Sequence, residues 1–391
     1  MITALILGII AGIFTGIVPG IHINLVAGVL IGISAWITAS PLSIGTFIFS
    51  MGITHTFLDS LPSVFLGAPN DDTVLAVLPA HKYVLRGRGR EAILLMTIGS
   101  LLCLIIAVIA LPLLVKAFPF LYKSLSPSFP VLIPLIILFL IFREVSWRRL
   151  WGFAVFISSG IFGLIVLDTT INQPLFPMLT GLFGMSGLLL SLKQSIIPSQ
   201  SKANYAFIER KEIMKAVGTG IIGGSAITLF PGMSPAHAAL LVNSIAKLKD
   251  AGYLVLVGGI NGVDFLASLV TLVTLSRARN GALEALSTFL KVNTTEMIYF
   301  AGIALFAGGI ATILTLIFSR VFALMMNKVN YFAVSIGVIS FIIVLCAVVS
   351  GFQGLIVMAV GTAIGMIAPL TGCSRSHAMG CLLVPVLTYL W

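Results

Sequence analysis

The sequence predicts an all-α integral membrane protein, and three observations carry that reading. Of the 391 residues, 59% are hydrophobic and 9% charged, whereas soluble domains carry roughly 25% charged residues. Apolar stretches of about 20 residues, enough for one bilayer crossing, recur along the whole chain. The basic residues that give the formal net charge of +10 gather in short loops between these stretches, as cytoplasmic loops do under the positive-inside rule. A transmembrane barrel would instead show short alternating segments. The expectation is a multi-pass protein of the plasma membrane with roughly ten to twelve transmembrane or re-entrant helices.

In chain order, the first apolar run (1–38) contains a Pro19-Gly20 pair followed by His22 and Asn24. It is too long for a signal peptide and lacks a basic flank and cleavage site, so it reads as a retained first membrane segment. The second run (41–69) carries His55 and Asp59 and leads to Asp71 and Asp72. A basic loop with Lys82, Arg86, Arg88 and Arg90 follows. Runs 92–118 and 129–142 precede a second basic loop with Arg143, Arg148 and Arg149. Runs 150–168 and 174–192 precede a third, with Lys193, Lys202, Arg210, Lys211 and Lys215. Beyond it lie runs 213–246, which contains Pro231-Gly232, then 252–276 with Asp264, and 297–319, 330–350, 351–370 and 378–391. The three basic loops are placed in the cytoplasm. Cys103, Cys346, Cys373 and Cys381 form no C-x-x-C pair, and neither a disulfide framework nor a metal site is read from them.

The most informative feature is internal repetition. GIIAGIFTGIVPGIHIN at 8–24 matches GIIGGSAITLFPGMSPA at 220–236 without a gap. GITHTFLDS (52–60) resembles GINGVDFLAS (259–268), and RGRGREAI (86–93) resembles RARNGALEAL (277–286). GIFGLIVL (160–167) loosely resembles GTAIGMIAP (361–369). The matches keep their order. The chain therefore reads as a membrane repeat at 1–200, a polar linker at 201–211 and a second repeat at 212–391. Duplication of this kind typifies secondary transporters. Inverted repeats are favoured. Parallel repeats are the alternative, because inversion sets the arginines at 277–279 across the membrane from those at 86–90.

A Pro-Gly pair can end one half-helix and start another, since Pro removes a donor and Gly frees the backbone. Unwound backbone is tolerated at membrane depth where protein or a watery cavity surrounds it. The restarted helix offers unpaired N–H groups and the positive end of its dipole to an anion. Pro19, Gly20, His22 and Asn24, with Pro231, Gly232, Ser234 and His237, are the candidate substrate-binding residues. The bland reading of the glycines at 8, 12, 16 and 20 is close helix packing without a ligand. Asp59 and Asp264 are candidates for coupling to H⁺ or Na⁺, because intramembrane carboxylates tend to mark ion pathways. Asp71, Asp72 and Arg375 form a weaker secondary set. Arg277, Arg279 or Arg375 could supply a full positive charge to an anion. No P-loop, G-x-S-x-G or H-E-x-x-H motif is present. No cofactor, no resident metal and no nucleic-acid partner is expected, and the protein is read as a non-enzyme. The enzymatic alternative is metal-dependent chemistry at Asp71 and Asp72.

GIFTGIVPGIHINL (12–25) resembles the first motif of the TctA family, the large membrane subunit of tripartite tricarboxylate transporters. LGAPNDDTVLAVLPAHKYVLRGRGREAI (66–93) resembles its next motif, and SSGIFGLIVLDTT with TGLFGMSGLL resembles a later signature. The chain departs from the pattern at Ala68-Pro69-Asn70 and at Ala80-His81-Lys82-Tyr83, and it is shorter than typical members. The resemblance implies ion-driven uptake of citrate-like carboxylates, with a small membrane subunit and a periplasmic binding protein as partners. PGMSPA more faintly resembles the PG-x-SG motif of polyprenyl-phosphate transporters, which implies a lipid-phosphate substrate instead.

Overall fold

The computed structural model describes residues 1–19, 21–32, 34–36, 38–66, 77–192, 198–201, 206, 208–326 and 331–390, and among these no residue lies in a strand. Helices α1 (Ile2–Ile17) and α2 (Ile23–Gly32) flank the first Pro-Gly pair. α3 (Pro41–Leu58) runs through Asp59 into α4 (Ser60–Phe65). Its start is fixed by Ser40, whose hydroxyl accepts from the Ser43 N–H, and by Pro41 in the first turn, where a missing donor costs nothing. Next come α5 (Val77–Leu85), α6 (Gly89–Ile109), α7 (Leu111–Leu125), α8 (Phe129–Phe142) and α9 (Trp147–Leu167). α10 (Leu175–Leu179) joins α11 (Ser186–Ser191) through a π-turn at 180–185. α12 (Arg210–Ile227) and α13 (Pro235–Ala246) flank the second Pro-Gly pair. α14 (Asp250–Leu275), α15 (Gly281–Phe289), α16 (Thr294–Met326), α17 (Tyr331–Thr371), a 3-10 turn (Arg375–Met379) and α18 (Gly380–Leu390) complete the chain.

Among the described residues, seven helical stretches are long and apolar enough to cross a bilayer. The last of them, Phe332–Thr371, has 40 residues, roughly 60 Å of helix at 1.5 Å per residue, about twice a hydrocarbon core of about 30 Å. Gly351 interrupts it at φ +67 and ψ −167, outside the range of helical backbone. The stretch is therefore two crossings joined at Gly351, in line with the separate runs 330–350 and 351–370. Runs 1–38 and 213–246 are different: each folds as two shorter helices around its Pro-Gly pair.

Glycines set how these helices pack. α1 lies parallel to α3, with Gly8 against Phe47 and Ser50, Gly12 against Met51 and Thr54, and Gly16 against Leu58. α12 lies parallel to α14 in the same way, with Gly220 near Leu256 and Gly224 against Ile260 and Val263. Small residues let membrane helices approach backbone to backbone. The central pairs cross between the two parts of the chain. α3 runs beside α16, with Gly45 against Phe300, and Phe65 stacked on Phe322 at 5.9 Å between ring centres. α6 runs beside α14, where the Ser100 hydroxyl donates to the Gly258 carbonyl at 2.9 Å.

Polar contacts identify the two ends of the molecule. At one end, Lys82 pairs with Asp250 at 3.1 Å, Ser201 donates to the Gly87 carbonyl, and Lys249 N–H donates to Glu212. Arg90 reaches Ser319, near the end of α16, at 3.5 Å. This is the end of the basic loops. At the other end, Thr46 meets Tyr299 at 3.1 Å, Asn172 donates to the Val349 carbonyl, and α15 packs on the start of α3. The α12–α13 hairpin enters from the basic end, and the α1–α2 hairpin enters from the opposite end.

Candidate functional site: a cavity between two broken helices

The tips of both hairpins open onto one cavity of about 930 Å³. From the first hairpin come His22, Ile23 and Asn24; from the second, the whole stretch from Thr228 to Pro235. Asn261 and Asp264 of α14 line its wall, one helical turn apart. Arg277, Arg279 and Asn280 come from the segment after α14, and its polar lining also includes His55, Thr56, Tyr122, Gln173, Thr271, Glu284 and Tyr389. Its exposed members, including Arg277, Glu284 and Tyr389, lie away from the basic loops.

At the first break α1 ends at Ile17, and Val18 is extended. α2 restarts with His22 as its cap: the Nδ1 atom accepts the Asn24 N–H at 3.3 Å, and the His22 carbonyl accepts the Leu25 N–H. His22 meets His55 edge-on, with 4.9 Å between ring centres, and His55 Nδ1 is bonded to the Thr15 hydroxyl at 3.1 Å. Asn24 reaches across to the start of α15 and accepts the Ala282 N–H at 3.2 Å. Pro19 sits in the turn. Gly20 lies outside the described residues.

At the second break Gly232 has φ +73, a conformation that favours glycine. A Cβ there would also come within 2.9 Å of Val386. Ser234 caps α13 in a capping box with His237: the Ser234 N–H donates to His237 Nδ1 at 3.3 Å, and the Ser234 hydroxyl lies 3.2 Å from the same atom. His237 is 1% exposed and is not among the cavity-lining residues. Thus His22, Ser234 and His237, expected as ligand donors, each act as a cap on the helix that restarts beside them. His22 and Ser234 still line the cavity.

Arg279 joins the two sides of the site. Its Nε lies 3.2 Å from the Asp264 carboxylate, and its two terminal nitrogens donate to the carbonyls of Ile227, Phe230 and Met233. These carbonyls belong to the end of α12 and the unwound stretch, where the negative end of the helix dipole welcomes a cation. The Asp264–Arg279 pair is close to neutral as a unit. Arg277, whose guanidinium stacks over the Tyr122 ring at 4.7 Å, brings a further positive charge to the cavity mouth. Asn261 is buried, and its side-chain oxygen has no hydrogen-bond partner among the described residues.

The remaining sequence candidates lie elsewhere. Asp59 is 3% exposed at the α3–α4 junction and does not line the cavity. Arg375 is in the 3-10 turn before α18, away from the cavity lining. Asp71 and Asp72 lie outside the described residues. Among the described residues no group of three or more His, Cys, Asp or Glu side chains converges as a metal site, and all four cysteines are buried thiols outside any disulfide. Sequence reasoning did not single out Asn261, Tyr122 or Gln173. Asn261 carried a usable signal: it is an amide in an apolar helix, three residues before Asp264 and so on its face.

A multi-pass helical protein whose two interrupted helices end at one polar cavity belongs to the class of membrane transport proteins. Within that class the chain belongs to the tripartite tricarboxylate transporter TctA family, whose model matches residues 2–380. The family is one of transporters, and its tripartite organisation implies partner subunits and a binding protein. An uncharacterized protein of Methanocaldococcus jannaschii is 30% identical over 358 residues, covering 88% of this chain and 87% of that one. No solved structure matches the chain.

Proposed function

We propose that the protein is the permease of a secondary active transporter that carries a di- or tricarboxylate anion, coupled to H⁺ or Na⁺. The observation that carries this reading is the shared cavity: both Pro-Gly breaks, far apart in sequence, reach one chamber lined in part by polar and charged side chains. The substrate is held between the first break (Pro19, Gly20, His22, Asn24) and the second (Pro231, Gly232, Ser234), with Asn261 and Arg277 as further donors. His237 supports the second break from behind. Asp59 and Asp264 remain the candidate coupling carboxylates. Two inverted repeats, 1–200 and 212–391, underlie the arrangement. The opposed entry of the two hairpins, each parallel to the long helix that follows it, supports that reading. By the positive-inside rule the cavity of this structure faces away from the cytoplasm.

The test is thermal stability of the detergent-purified protein against citrate, succinate, other di- and tricarboxylates, and a polyprenyl phosphate. A ligand at a hundred times its dissociation constant stabilises by about 2.7 kcal/mol. A shift with carboxylates, reduced in Arg277→Ala and Asn261→Ala, is the expected result. A shift with the lipid phosphate alone would replace the carboxylate reading with the lipid-carrier one. No shift with any anion would overturn both.

A further inference from the structure

The long helices beside the two hairpins carry different groups at matching places. Gly8 packs against the Phe47 carbonyl, and Gly12 against the Met51 carbonyl and the Thr54 Cβ. In the second hairpin, Gly220 packs near the Leu256 carbonyl, and Gly224 against the Ile260 carbonyl and the Val263 Cβ. Phe47, Met51 and Thr54 thus stand in α3 where Leu256, Ile260 and Val263 stand in α14. The next residue is His55 in α3 and Asp264 in α14, and both line the cavity. Asp59 falls one turn further on, at the place of Ser268, and does not line it. Asp264 has the Arg279 guanidinium as its counter-charge at 3.2 Å. His55 has a second imidazole instead: His22, also on the cavity wall, meets it edge-on with 4.9 Å between ring centres. The Thr15 hydroxyl donates to the Gly12 carbonyl at 3.3 Å, so it accepts the Nδ1–H of His55 at 3.1 Å. In the neutral ring this leaves Nε2 of His55 with the lone pair. His22 accepts the Asn24 N–H at Nδ1, so its own proton is on Nε2.

We propose that the His22–His55 pair takes up one proton, at Nε2 of His55, with each anion bound in the cavity, which makes H⁺ the coupling ion. The proposal rests on the transporter reading above, and it places the titrating group of the first hairpin at His55 rather than Asp59. Water in the cavity supplies the proton, and the Nε2 lone pair binds it. Two imidazolium rings this close repel each other, so the pair holds one extra proton and not two. A carboxylate in the cavity offsets the charge that the buried ring gains. By linkage, the proton then strengthens anion binding by the factor by which the anion strengthens proton binding. Both leave when the site opens toward the basic-loop end. Other charged and titratable groups surround the pair. Across the cavity Asp264 and Arg279 offset each other, and toward the mouth lie Arg277, stacked on Tyr122, and Glu284 of α15. Tyr389 of α18 also lines the cavity. On α3 itself Asp59 donates its N–H to the His55 carbonyl, and Tyr299 of α16 meets α3 near its start, at Thr46.

The test counts protons directly. The detergent-purified full chain is titrated with succinate and with citrate in a calorimeter, in two buffers of different ionisation enthalpy. The pH is held above about 7, where the carboxyls of succinate are ionised. The expected result is uptake of about one proton per anion bound, with affinity falling by up to about tenfold per pH unit as the pH rises. His55→Gln and His55→Asn remove the titrating ring, and the Asn amide keeps a donor toward Thr15. Each is expected to bind the anion only as weakly as the wild type does at high pH, with no proton uptake and no dependence on pH. A purely structural role for His55 would lower the melting temperature and leave the proton count of the bound fraction as in the wild type. Uptake that persists in both His55 variants would therefore overturn the proposal. So would uptake that vanishes in Asp59→Asn and survives in His55→Gln, since the proton would then sit on the carboxylate. Anion binding to the wild type without proton uptake would overturn it whether or not any variant folds. No binding of either anion to the wild type would instead overturn the carboxylate reading, and the proposal with it.

Discussion

Arg279 serves four acceptors at once: the Asp264 carboxylate and the carbonyls of Ile227, Phe230 and Met233. Arg279→Ala leaves a carboxylate and three carbonyls without this donor on the wall of the cavity. Breaking a fully buried charge pair from one side costs about 3–5 kcal/mol; this pair is partly buried, at 14% and 16% exposed, so a smaller but clear fall in melting temperature is expected. Asp264→Asn is expected to cost less, since the three carbonyl bonds persist. Arg279→Lys should rescue little, because an ammonium lacks the planar fork that spans several acceptors. Melting curves of the three variants check the order. At this scale the sequence marked the right neighbourhood and not the right roles. Asp264 was legible as a carboxylate in an apolar helix and Arg279 as a cation beside one. Their pairing was not, because it depends on how the chain doubles back after α14. For the same reason His22, Ser234 and His237 read as ligand donors, whereas in the structure His22 accepts the Asn24 N–H and Ser234 and His237 bond to each other at the start of α13.

The helices themselves were largely readable from apolar run lengths, and the Pro-Gly breaks stand where the sequence placed them. Less readable was which glycines serve the breaks and which serve packing. Gly258 of α14 lies so close to Met96 of α6 that any Cβ would collide with the Met96 carbonyl, and Gly99 stands in the same relation to Val255. The obstacle is backbone, which can yield only if the helices part. Overpacking commonly costs about 1–3 kcal/mol and occasionally more, and Gly258→Leu is expected at or beyond the upper end. A Cβ at Gly302 or Gly309 of α16 would meet nothing within 4 Å among the described residues beyond its own helix backbone, so Gly302→Leu is expected to leave folding unchanged. Size-exclusion profiles of the two variants in detergent provide the comparison. An unaffected Gly258→Leu would mean that the α6–α14 contact does not hold the core.

For the whole molecule, the testable consequence is sidedness. The cavity mouth, with Arg277 and Glu284, lies away from Lys82 and its basic loop. All four native cysteines are buried, which gives a quiet background for labelling introduced ones. A membrane-impermeant thiol reagent added to intact cells is expected to label Glu284→Cys and to spare Lys82→Cys until the cells are opened. The reverse pattern would turn the molecule over in the membrane and place the cavity mouth in the cytoplasm.

By itself the sequence determined that this is a polytopic helical membrane protein of the TctA family, with two helices interrupted at Pro-Gly pairs and its basic loops at one face. Those properties are local. They follow from the apolar content of each run, from the backbone chemistry of Pro and Gly, and from the preference of basic loops for one side. Only the tertiary structure decided that the hairpins enter from opposite ends, that their tips share one cavity, and that Arg279 ties Asp264 to the unwound carbonyls. It also set His377 3.2 Å from Glu144, a pairing of two distant parts of the chain. These are contacts between segments distant in sequence. They depend on helix direction and on how closely glycine allows two backbones to approach, and neither is written in the hydropathy of a single segment.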